Sequence, residues 1–85
     1  MKVLICTNGS VASRRAFQAG ALVAEALHAE VVVLGVVERS SATRRVQRAM
    51  EEASAILTVH NVPHASRVRE GRAVAEIAAE AKAGD

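Results

Sequence analysis

Apolar and polar positions along the chain sort into two alternating kinds of segment. Residues 2–7, KVLICT, make a short run without polar alternation. A strand covered on both faces reads this way, as in a parallel sheet. Over residues 11–28 the period changes to steps of three and four. Ala16, Ala19, Gly20, Val23 and Leu27 fall on one stripe, which Phe17 and Ala24 widen. That spacing predicts an amphipathic helix, with Ser10 or Ser13 placed to cap it and His28-Ala29 closing it. Residues 30–37, EVVVLGVV, predict a second strand buried on both faces and interrupted near its end by Gly35.

Glu38-Arg39-Ser40-Ser41 then makes an exit loop. Residues 42–58 return to the helical period. Val46, Ala49, Met50, Ala53 and Ile56 face inward; Arg44, Arg45, Arg48, Glu51 and Glu52 face out, spaced for pairing along the helix. Asn61 to Pro63 breaks the pattern. Residues 64–69, HASRVR, are too polar for a central strand and predict an edge. After a turn at Glu70-Gly71-Arg72, residues 73–83 predict a third helix. Val74, Ile77, Ala78 and Ala81 point inward there, and Gly84 is the stop. The order β-α-β-α-β-α predicts an α/β fold: an open parallel sheet with right-handed crossovers and helices on both faces.

Composition changes this picture in one respect. The chain has 85 residues, enough for one domain, and is 51% hydrophobic. Eighteen of the apolar residues are Ala and thirteen Val, with one Phe and no Trp or Tyr, so each buried position contributes little area. A core this thin leads us to expect a homo-oligomer. The net charge of +2 gives no ground for a nucleic-acid partner. Four Arg between positions 39 and 48 can meet phosphate, but no aromatic residue interleaves with them to stack on bases. A single Cys cannot form an internal disulfide, which fits a cytoplasmic setting. No signal peptide is visible, and no apolar run nears the ~20 residues of a membrane span.

The candidate chemistry sits at Thr7-Asn8-Gly9-Ser10, just past the first strand. In open α/β sheets ligands bind at that edge, where strand order reverses. Gly9 lets backbone approach a ligand, and the following helix presents free N–H groups. The same four residues also serve simply as a turn and a cap. Neither G-x-G-x-x-G nor G-x-x-x-x-G-K-[ST] occurs, which argues against a dinucleotide-binding dehydrogenase and a P-loop NTPase. His28, His60 and His64 lack zinc-ligand spacing, so we expect solvated loop histidines and no metal. Cys6 is expected to be a buried, inert thiol. No general base or nucleophile stands near the turn in sequence, so no enzyme activity is expected.

In order and spacing these segments resemble the universal stress protein family, from Val3 to Asp85. VLICTNGSVASRRAFQAGALVAEAL is similar to that family's first strand, T-D-G-S turn and Ala-rich helix. AEVVVLGVVE is similar to its second strand, ending L-H-V-V-E. The loop and helix at 40–58 have the usual place and length, and REGRAVAEIAAEAKAGD is similar to its G-x-x-x-x-x-I-x-x-x-A segment. The resemblance implies a Rossmann-like domain in stress response that binds adenine nucleotide, ATP or AMP, and hydrolyses ATP weakly at most. Thr7, Asn8, Gly9 and Ser10 would then lie near the ribose and phosphates, and Val36 and Val37 beside the base. Asn8 stands where ATP-binding members carry Asp, and Gly35 where His is usual. The family continues past the position of Asp85 with a strand, a glycine-rich phosphate segment, and a further helix and strand, giving strand order 3-2-1-4-5. This chain would supply 3-2-1, as a truncated domain without the C-terminal strands. The alternative implied by the same resemblance is a dimerisation or protein-interaction module that does not bind ATP.

Overall fold

A computed structural model describes residues 1–72. Strand β1 (Lys2–Thr7) leads into helix α1 (Val11–Leu27), strand β2 (Glu30–Val37), a single 3-10 turn (Ser40–Ala42), helix α2 (Thr43–Val59) and strand β3 (His64–Glu70). The sheet order is β1-β2-β3, and both pairings are parallel. The most apolar strand is therefore central and the polar one is at an edge, as the pattern predicts. The expected third helix at 73–83 lies outside the described residues.

Register determines which side chains share a face. Ile5 stands opposite Val33, and Thr7 opposite Gly35. Ile5, Val31, Val33 and Val37 are buried in one cluster with Phe17, Ala21 and Ala24 of α1 and Val46, Met50, Ala53 and Leu57 of α2. Both described helices thus pack on the same face, as two successive right-handed crossovers in one direction require. Side chains alternate along a strand, so Leu34 and Val36 turn to the opposite face, where they are also buried.

Helix α1 keeps Phe17, Gly20 and Ala24 of its expected stripe and departs from the rest. Phe17, Ala21 and Ala24 are buried, whereas Ala16 and Ala19 are exposed, and Val23 and Leu27 are 54% and 51% exposed. The cause is close approach. A Cβ at Gly20 would stand 2.9 Å from Ile5 Cδ1, so the helix docks along its small residues. The larger Leu22, Val23 and Leu27 are left facing outward. Gly35 does the same for α2: a Cβ there would stand 2.9 Å from both Met50 Sδ and Val46 Cγ1. It marks the place where α2 rests on the sheet.

His60 and His64 are more engaged than solvated loop residues would be, whereas the exposed side chain of His28 fits that expectation. His28 closes α1 in the left-handed conformation, with its N–H directed at the carbonyls of Ala24 and Glu25. His60 pairs with Glu25 at 2.9 Å, and half-buried His64 contacts α2. Cys6 is half-buried rather than fully so. Glu52 pairs across the helices with Arg14 at 3.1 Å, instead of along α2. Among the described residues no helix is long and apolar enough to cross a membrane.

Candidate functional site

The turn after β1 is built around hydroxyl groups. Thr7 is buried, and its Oγ1 accepts the Gly9 N–H at 3.1 Å. The same oxygen lies 2.9 Å from Ser13 Oγ. Ser10 is the cap of α1: its backbone is extended and its Oγ accepts the Ser13 N–H at 3.1 Å. Asn8 Oδ1 accepts from Ser10 N–H at 3.0 Å and from Ser13 Oγ at 3.1 Å. An N–H can only donate, so this contact fixes which end of the Asn8 amide is oxygen. The amide nitrogen is left as an outward donor.

Gly9 has φ +83°, a conformation that favours glycine. It also lets α2 come near. A Cβ at this position would stand 2.7 Å from Arg45 Cγ. From the same side chain, Nε donates to the Asn8 carbonyl at 3.3 Å. The loop after β1 and the start of α2 therefore form two walls that touch.

Between them lies a cleft of about 340 Å³ at the C-terminal ends of β1 and β2. Asn8, Val36, Glu38, Arg39, Ser41 and Arg45 line it. The backbone direction of β2 explains the part of Val36. Glu30 N–H bonds to Met1 of β1's side, while Val31 N–H bonds to Pro63 on β3's side. Residues alternate from there, so Val37 turns its carbonyl to β3, where it accepts the Gly71 N–H at 3.1 Å. Val36 turns its backbone groups toward β1, past the last register pair of Thr7 and Gly35.

Comparison with solved structures shows what this architecture is. The chain aligns with the crystal structure of a protein from the universal stress protein family from Burkholderia pseudomallei with a TM-score of 0.83. The alignment is 24% identical and covers 98% of this chain and 73% of that one. This chain has the universal stress protein fold. The crystal structure of a universal stress protein in complex with cAMP aligns with a TM-score of 0.74 at 19% identity, covering 96% of this chain and 70% of that one. No family model and no curated protein matches the sequence.

On the universal stress protein fold, the expected site residues of this chain divide into three groups. Asn8 and Val36 line the cleft. Thr7, Gly9 and Ser10 shape its wall from behind, through the hydroxyl contacts and the close approach of Arg45. Val37 is directed elsewhere, its side chain in the core and its carbonyl on Gly71. Sequence reasoning passed over Glu38 and Ser41 as parts of a loop, and weighed Arg39 and Arg45 only as members of a basic run. Their position just past β2, at the C-terminal edge of the parallel sheet, was the available signal. Arg44 and Arg48 are exposed and do not line the cleft. Ser13 also joins the site, as the group that ties Thr7, Asn8 and Ser10 together.

Proposed function

We propose that this chain is a universal stress protein-like module that binds an adenine nucleotide, ATP or AMP, in the cleft at the ends of β1 and β2. One observation carries the reading. The cleft lies at the ligand-binding edge of a fold that, in one solved universal stress protein, is found in complex with cAMP. Val36 offers its backbone to the base, and Asn8 its amide to the ribose or phosphate. Thr7, Gly9, Ser10 and Ser13 hold the loop in shape. A 15N-HSQC titration of the 85-residue chain with ATP and AMP tests it. Saturable shifts at Asn8, Gly9, Val36 and Arg45 are expected. A dispersed spectrum that does not move at millimolar nucleotide would refute the proposal.

A second reading has its own support. Leu22, Val23 and Leu27 are exposed on α1, on the helix that covers edge strand β1. Pairing with another copy would cover this face, giving an interaction module. Sedimentation velocity checks it. A dimer that dissociates when Leu22 and Leu27 are changed to Gln is expected, and a monomer across the accessible concentration range would argue against it.

A further inference from the structure

The proposed nucleotide site has an unusual balance of hydrogen-bonding groups, and this balance defines the ligand further. Each polar side chain on the cleft has a traceable state. Asn8 has its oxygen engaged by Ser10 and Ser13, so it presents only its NH2 group. Arg45 has Nε engaged by the Asn8 carbonyl, so the terminal guanidinium nitrogens remain. Arg39 lines the cleft without an ion-pair partner among the described residues. Ser41 adds a hydroxyl. Set against these donors is one carboxylate, Glu38, which forms no ion pair with either arginine. Arg14 shows the contrast, since Glu52 neutralises it.

Two guanidinium groups and an amide donor call for an acceptor-rich anion. A phosphate answers this best, because a guanidinium can grip two of its oxygens at once. The same groups also limit how much phosphate can be held. Arg44 and Arg48 do not line the cleft, and Arg14 is paired elsewhere. Among the described residues, a second or third phosphate finds no further cation on this wall. The volume of about 340 Å³ is likewise at the small end of the roughly 300–1,000 Å³ common for ligand pockets.

Resting on the nucleotide reading above, we infer that Arg39 and Arg45 make the cleft a reader of one phosphate: it prefers a nucleoside monophosphate over the nucleoside and gains little from a longer phosphate chain.

Calorimetric titration of the full chain with adenosine, AMP, ATP and inorganic phosphate tests this, with HSQC confirming the fold of every variant. AMP is expected to bind about tenfold tighter than adenosine, the scale of a charge-assisted contact. ATP is expected within about threefold of AMP, and inorganic phosphate alone should bind much more weakly than AMP. Arg45→Gln and Arg39→Gln, made separately, should each bring the ratio of AMP to adenosine affinity toward one, and this ratio is the readout because both residues line the cleft. Equal affinities for adenosine and AMP would overturn the inference while leaving the nucleotide reading in place. So would ATP binding tenfold or more tighter than AMP. Inorganic phosphate matching AMP would overturn it too, reducing the site to a general anion site. Silence toward adenosine, AMP and ATP would overturn both readings together.

Discussion

His64 Nε2 lies 3.1 Å from Ser54 Oγ, joining the first residue of β3 to the middle of α2. The other ring nitrogen, Nδ1, lies 2.9 Å from the Val62 carbonyl. A carbonyl only accepts, so Nδ1 carries the proton and, in the neutral ring, Nε2 accepts from the Ser54 hydroxyl. The ring spans the break at Asn61–Pro63 and holds the entry of β3 against the helix before it. His64→Ala removes both contacts and is expected to destabilise the fold by about 1–2 kcal/mol, with Ser54→Ala costing about half as much. Urea unfolding of the single and double variants measures this, and the pair should be non-additive.

Gly9→Ala combines two penalties. The residue would have to hold a positive φ, and its Cβ would press on Arg45. A cost of about 1–3 kcal/mol is expected, accompanied by chemical-shift changes at Arg45 and Asn8. Denaturant melts and HSQC spectra read the two effects separately. A stability equal to that of the parent chain would mean that α2 yields freely at this point.

Gly35→Ala places a methyl group against Met50 and Val46, where α2 meets the sheet. Overpacking of this kind is expected to cost about 1–3 kcal/mol. Removing the obstructing side chain should recover part of that loss. Gly35→Ala with Met50→Ala is therefore expected to be more stable than the sum of the two single variants implies, as measured by urea midpoints.

The Arg14–Glu52 pair joins α1 to α2 at 3.1 Å, with both side chains about half exposed. Exposed ion pairs contribute little and are screened by salt. Glu52→Gln should lower stability by less than about 1 kcal/mol, and the difference should vanish in 1 M sodium chloride. Thermal melts at two salt concentrations check it.

The strands, and the edge position of the polar third one, were legible in the residue pattern, whereas strand order came from the resemblance to the universal stress protein family. The buried face of α1 was legible only in part. The expected stripe held Phe17, Gly20 and Ala24, which do face the sheet, but it also favoured Val23 and Leu27, which contact distance left exposed while burying Ala21. Interhelix and helix–sheet spacing is a tertiary quantity that a local period does not contain. The turn at Thr7–Ser10 was legible as a possible binding loop, and Val36 as its neighbour. The second wall was harder to see, because Arg45 meets Asn8 only once α1 and β2 have folded between them. His64 was missed for the same reason: in sequence it follows a proline break, and its partner lies ten residues back on a helix.

The contact between Arg45 and Asn8 joins residues 37 positions apart and closes over helix α1, strand β2 and the 3-10 turn. Such a closure depends on everything it encloses, and its loop entropy is repaid only when the intervening pieces are in place. The wall of the cleft is thus complete only when α1 and β2 are in place. Whatever occupies it acts on the folding equilibrium as a clasp. Amide protons at Gly9 and Arg45 should exchange with solvent faster than those of Val33 in the empty protein, and slow toward the rate of the core once the clasp is shut.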